Sequence, residues 1–143
     1  MAAAKSLTQV EISKVLEHIA STAYAQRNRV MFLLTAMAGL RVSEVAGLTI
    51  NDVRDEDGTV RAEVFFAAHR IKHNHARTVY LNTRLQQELA DYIQSRTWVD
   101  EMQTLFPTHR GPRCHFSPNT LAQHFHYVYK RAGVRNASSH SGR

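Results

Sequence analysis

The spacing of hydrophobic residues changes twice along the chain, and this change limits the folds that the sequence can adopt. In the first third of the chain, and again after Leu85, apolar residues recur every three or four positions, as on one face of a helix. Between Val60 and Leu81 they alternate with polar residues, as in strands that bury one face. The pattern therefore predicts an α+β fold that is mainly α-helical and has a small antiparallel sheet.

Local signals predict where the helices begin and end. Thr8 and Glu11 have the spacing of a capping box before an amphipathic helix. A second helix is expected from about Gln26 to Ala38, and Gly39 can end it because glycine accepts the left-handed conformation. Three further helices are expected: a short one around Val42 to Gly47, one that carries Leu85 to Ile93, and one that starts at Ser117-Pro118 and ends at Gly133.

The alternating segment divides into three predicted strands. The first covers Val60 to Phe66, the second His69 to Lys72, and the third Arg77 to Leu81. A polar, turn-like stretch near Asn74 separates the last two. We therefore expect a three-stranded antiparallel sheet with a hairpin tip near Asn74.

Size and charge restrict the class of protein and of partner. The chain has 143 residues, enough for one domain with a single core, and a net charge of +6. Such a charge favours a polyanion, nucleic acid before an acidic membrane surface, although a basic protein without such a partner fits as well. The single cysteine, Cys114, excludes a disulfide framework. The longest apolar run, Val30–Leu34, is too short to span a bilayer, so we expect a cytoplasmic protein with no membrane partner.

Four residues have the chemistry of a phosphate site, and a fifth could support them. Arg41 follows a glycine break at a helix start, where its guanidinium could bind a phosphate, and Glu44 could hold it in place. Lys72 precedes a flexible tip, while His140 and Arg143 lie three positions apart. Taken singly, each also fits an ordinary role, such as a salt bridge at a helix end or a solvated lysine.

Taken together, these segments resemble a known family. The order and spacing of several blocks, from about Leu7 to Arg143, are similar to those of the catalytic domain of tyrosine recombinases, also called phage integrases. The blocks that carry the likeness are Gly39-Leu40-Arg41 with Ser43-Glu44, Lys72 with Arg77-Thr78-Val79-Tyr80-Leu81, Leu105-Phe106-Pro107, Arg131-Ala132-Gly133-Val134, and Ser139-His140-Ser141-Gly142-Arg143.

The resemblance implies DNA cleavage and rejoining through a 3′-phosphotyrosyl link, without a metal, a cofactor or a small-molecule substrate. It implies that Arg41 and Arg143 clamp the scissile phosphate. Lys72 would protonate the leaving 5′-oxygen, His140 would transfer a proton or orient the phosphate, and Glu44 would support them. The implied partner is duplex DNA in the nucleoid, on which the complete protein would assemble as an oligomer.

The chain also departs from the family pattern. The family places a second histidine or tryptophan, and then the nucleophilic tyrosine, after the second arginine. None of the five tyrosines here, Tyr24, Tyr80, Tyr92, Tyr127 and Tyr129, has that place. The separate N-terminal DNA-clamping domain is also missing. We therefore expect residues 1–143 to form one truncated catalytic domain that lacks a nucleophile and is inactive as it stands.

Two alternatives remain open. The first is a non-catalytic DNA-binding or interaction module derived from the same fold. The second is a metal nuclease, suggested by His73-Asn74-His75. That motif also needs a wider ββα arrangement with distant histidines, which the sequence does not contain, so we expect no metal site.

Overall fold

The computed structural model describes residues 6–68, 75–98, 102–111 and 114–137. The elements in these ranges are α1 (Gln9–Ala20), α2 (Ala25–Ala38), α3 (Val42–Ala46), α4 (Ile50–Val53), β1 (Glu63–Phe66), β2 (Arg77–Tyr80), α5 (Thr83–Gln94) and α6 (Pro118–Ala132). All helices that the sequence predicts are present, and α4 is an additional one. Within these ranges, no helix has the length and apolar character needed to cross a membrane.

The predicted helix ends are confirmed by their hydrogen bonds. The Glu11 amide donates to Thr8 Oγ1 (3.1 Å), and the Thr8 amide donates to Glu11 Oε1 (3.0 Å). Ser117 caps α6 by accepting a bond from the Thr120 amide at 3.1 Å. At its far end α2 stops at Gly39, whose φ of 71° is costly for any residue with a Cβ. These caps satisfy amide and carbonyl groups that have no partner inside a helix.

The core is built around α2. Its residues Val30–Leu34 are all at most 1% exposed, so this stretch of the helix is buried on every side rather than on one face. Helices α1, α3 and α5 pack against it, and α6 packs against α1 and α3. Phe32 meets Tyr129 of α6 edge-on, with ring centroids 6.2 Å apart. This packing fixes α3 between α2 and α6.

The sheet differs from the prediction. Strands β1 and β2 pair directly and antiparallel, with Glu63 opposite Tyr80 and Phe66 opposite Arg77. The prediction of three strands is wrong: the sheet in the described ranges has two strands, β1 and β2. The segment predicted as the second strand, His69 to Lys72, lies outside the described residues. Alternation marks which face of a strand is buried, but it does not identify the neighbouring strand.

Helix α4 is short and begins at a capping signal. The Thr49 amide donates to Asp52 Oδ2 at 2.9 Å, which is the Thr-x-x-Asp spacing of a helix start. Around it the chain is tied to a distant loop, because the Ile50 amide donates to Gln103 O (3.0 Å) and the Leu105 amide to Leu48 O (2.8 Å). These bonds fix the segment that leaves α3.

Candidate functional site

A sharp corner between α2 and α3 holds Arg41. Gly39 ends α2 in the left-handed conformation, and the Leu40 amide bonds back to Leu34 O at 3.2 Å. Leu40 is 1% exposed and anchors the corner in the core. Arg41 then takes the extended conformation (φ −77°, ψ 154°) of a residue that precedes a helix. Its backbone is therefore fixed on both sides, while the residue itself is only half-buried.

Glu44 supports this corner from inside the protein. Its side chain is fully buried, and its Oε1 accepts a hydrogen bond from the Arg41 backbone amide at 2.8 Å. Glu44 therefore contacts Arg41 through the Arg41 backbone amide, and its supporting role in the site stays a prediction. Within the described ranges, the Arg41 guanidinium forms no hydrogen bond or ion pair.

The cation that balances Glu44 is Arg77, the first residue of β2. Its Nη2 donates to Glu44 Oε1 at 3.0 Å and to the Gly39 carbonyl at 3.3 Å. Its Nε lies 2.9 Å from Glu44 Oε2, in an ion pair that lacks hydrogen-bond alignment. Arg77 therefore joins the β-hairpin to both sides of the Arg41 corner.

The strand pattern around Arg77 contains a signal that this arginine has a partner. In an alternating strand, Arg77 falls on the same face as the buried Val79. A charged residue on an inward face needs a partner, since burying an unpaired charge is costly. The strand pattern therefore indicates that Arg77 is paired, although it cannot identify Glu44 as the partner.

Three of the predicted site residues, Lys72, His140 and Arg143, lie outside the described residues. The elements next to them in sequence contact the corner or the helix that follows it. Strand β2, which starts five residues after Lys72, reaches it through Arg77. Helix α6, which precedes the His140 segment, packs against α3. Of the five candidates, the structure brings together Arg41 and Glu44.

Arg27 is a buried arginine that the sequence patterns did not predict. Arg27 of α2 is 8% exposed, and its guanidinium lies 4.7 Å from the ring centroid of Tyr24 and 5.1 Å from that of Phe116. It donates to the carbonyl of Pro107 at 2.9 Å. Burial lowers the pKa of this guanidinium from its ordinary value. Arg27 thereby fastens the Pro107 loop to α2, and spacing along α2 gives no sign of this contact.

Comparison with known proteins agrees with this architecture. The sequence profile of the phage integrase family matches residues 5–143. The tyrosine recombinase XerA of Pyrococcus furiosus is 31% identical over 132 residues, which are 92% of this chain and 43% of the relative. The chain thus spans less than half the length of that protein.

Solved structures show the same fold. The crystal structure of XerA recombinase superposes with a TM-score of 0.75 at 21% identity, covering 99% of this chain and 47% of that one. Lambda integrase (residues 75–356) bound to DNA gives a TM-score of 0.70 at 16% identity, covering 99% of this chain and 49% of that one. With the family profile matching nearly every residue and the fold shared, the chain belongs to the phage integrase family of tyrosine recombinases.

Proposed function

We propose that this chain contributes the phosphate-binding part of a catalytic domain that cleaves and rejoins duplex DNA. The observation that carries the proposal is the Arg41 corner. Its backbone is fixed, and the neighbouring carboxylate is already balanced by Arg77. A guanidinium presented in this way can bind the non-bridging oxygens of a phosphodiester with two parallel hydrogen bonds.

The proposed chemistry assigns one role to each residue of the family motif. Arg41 and Arg143 bind the non-bridging oxygens and offset the charge that builds up in the transition state. A tyrosine hydroxyl attacks phosphorus, Lys72 protonates the departing 5′-oxygen, and His140 orients the phosphate or moves a proton. One phosphoester bond forms as another breaks, so rejoining needs no energy source.

Two further observations support duplex DNA as the partner. The net charge of +6 favours a polyanion. Lambda integrase was solved bound to DNA, and the Tn1549 transposon integrase in complex with circular intermediate DNA. We extend the proposal to assembly of the complete protein as an oligomer on DNA in the nucleoid. A non-catalytic DNA-binding module remains the alternative function.

Arg41→Ala is expected to weaken binding of this chain to duplex DNA about tenfold, because a charge-assisted contact to phosphate is lost. The slope of log K against log salt should also flatten by about one unit, similarly for unrelated duplex sequences. Fluorescence anisotropy with a labelled duplex at several salt concentrations measures both quantities.

The matched control is Arg29→Ala, which removes the same charge from a residue held by Glu88 at 2.8 Å. This variant should bind DNA within about twofold of the unchanged chain. A DNA affinity that does not change with salt concentration, or equal losses of affinity in the two variants, would contradict a phosphate contact by Arg41.

These 143 residues alone are expected to form no covalent adduct with DNA. Tyr92 and Tyr129 are buried, and burial raises the pKa of both hydroxyls. Tyr80 lies on the outward face of β2, opposite the face from which Arg77 reaches the corner. Tyr24 and Tyr127 are more than half exposed, each with a guanidinium over its ring, but neither has the sequence position of the family nucleophile.

A nicked suicide substrate followed by denaturing gel electrophoresis tests this expectation. A protein–DNA band from the unchanged chain that a single Tyr→Phe variant abolishes would show that one of these tyrosines is a nucleophile. DNA binding without an adduct is the expected result, and it leaves the phosphate-binding role intact.

A further inference from the structure

Arg77 makes three contacts that meet at the Arg41 corner. Its guanidinium reaches both oxygens of Glu44 and the carbonyl of Gly39, all within 3.3 Å. The Glu44 side chain is fully buried, whereas that of Arg77 is 28% exposed. One arginine from the hairpin thus balances a buried charge on α3 and binds the end of α2.

A buried carboxylate attracts whatever cation can reach it. Arg77 occupies this place, and the Arg41 amide already bonds to the same carboxylate at 2.8 Å. If Arg77 released Glu44, the next cation along the chain would be the Arg41 guanidinium, three residues away. A guanidinium drawn inward to Glu44 could not at the same time bind a DNA phosphate.

We propose that Arg77 is a positioning residue: by saturating the Glu44 carboxylate and holding the Gly39 carbonyl, it keeps the Arg41 guanidinium free for the DNA phosphate. This inference rests on the proposed function. It also gives the hairpin a role beyond carrying Lys72, because the hairpin controls the charge balance behind Arg41.

Lysine cannot replace Arg77 in this role. A guanidinium is a planar fork that can meet two carboxylate oxygens and a carbonyl together, whereas an ammonium is a compact point charge. Arg77→Lys therefore keeps the net charge and removes the geometry. This separates positioning from the general attraction of DNA to a basic protein.

The first test compares DNA affinity and salt slope in Arg77→Lys, Arg41→Ala and the double variant. Arg77→Lys should weaken binding at least threefold and flatten the salt slope by up to about one unit, although its charge is unchanged. In the double variant the loss should be no larger than in Arg41→Ala alone. Arg29→Lys, the same change in the Arg29–Glu88 pair, should bind like the unchanged chain.

The second test removes the charge that draws Arg41 inward. In a Glu44→Gln background the buried group is neutral, so adding Arg77→Lys should leave DNA affinity and salt slope unchanged. A merely structural role for Arg77 does not predict this rescue. The comparison within the Glu44→Gln background also stands if the single Arg77→Lys chain fails to fold, which circular dichroism would show.

The outcomes separate the two proposals. If Arg41→Ala binds like the unchanged chain, the proposed function fails. If Arg41→Ala weakens binding but Arg77→Lys does not, or if the two losses add in full, the positioning role is overturned. The same holds if Arg77→Lys weakens binding in the Glu44→Gln background.

Discussion

Replacing Arg77 by methionine should lower the free energy of unfolding by about 3 kcal/mol, because it leaves a buried carboxylate without a counter-charge. The Glu44 side chain is fully buried, so water cannot take over from the lost guanidinium. The loss is expected at the low end of the range for buried pairs, since Arg77 itself is 28% exposed. Urea unfolding at neutral pH, followed by circular dichroism, measures it.

Two variants test the cause of this destabilisation. The double variant Glu44→Met with Arg77→Met removes both charges and should recover most of the lost stability. Arg29→Met breaks a more exposed pair, with 34% and 22% side-chain exposure, and should cost at most about 1 kcal/mol. Equal losses in Arg77→Met and Arg29→Met would mean that burial of Glu44 does not decide the energy.

Acidification from pH 6.5 to pH 4 is expected to lower the free energy of unfolding by up to about 3 kcal/mol through His124 alone. This histidine of α6 packs between Phe116 and Phe125, with ring centroids 6.1 and 5.5 Å away. Burial, and secondarily the charge of Arg27, lowers the pKa of His124 to about 4. Within the described ranges, its buried Nε2 has no hydrogen-bond partner.

The sign of this pH effect follows from the number of protons that the folded and unfolded chains bind. Between the folded pKa of about 4 and the ordinary value of 6.5, the unfolded chain binds a proton that the folded chain does not. The contribution of His124 to the free energy of unfolding is therefore fully present above pH 6.5 and is lost as the pH falls toward 4. His124→Leu, measured by urea unfolding across this window, should flatten the decline.

A carboxylate supplies the control for this window. The hydrogen bond from Arg29 lowers the pKa of Glu88 below its ordinary value of 4.5, so its contribution to stability is lost only below that pH. Glu88→Gln should therefore leave the slope between pH 6.5 and 5 unchanged. A slope that persists in His124→Leu would assign the effect to other groups.

Much of the helical part could be predicted because its signals are local. Thr8 with Glu11, Gly39, and Ser117 with Pro118 each mark a helix end within four residues of sequence, and all three predictions are confirmed. The strand pairing in the sheet was harder to predict. Alternation identified the buried faces of β1 and β2, but the choice of partner depends on contacts across the hairpin that spacing does not encode.

The candidate site likewise has local contacts that the sequence predicts and long-range contacts that it does not. The contact between Arg41 and Glu44 could be predicted because they lie three positions apart at a helix start. Arg77 lies 33 residues from Glu44, and only the folded chain brings the two together. Arg27 and Pro107 are 80 residues apart and meet for the same reason. Lys72, His140 and Arg143 remain predictions from the family motif.

The packing of α1 against α6 has a consequence for how the chain is made. Val15 and Ile19 of α1 are at most 1% exposed in the finished fold, and of the two helices that pack against α1, α6 begins about a hundred residues later. At roughly 5–20 residues per second, the part of α1 that α6 covers stays exposed for several seconds during synthesis. Bringing α1 and α6 together also closes a long loop, which costs conformational entropy before their contact forms. Chaperone binding to nascent chains should therefore concentrate on α1 and end when α6 emerges.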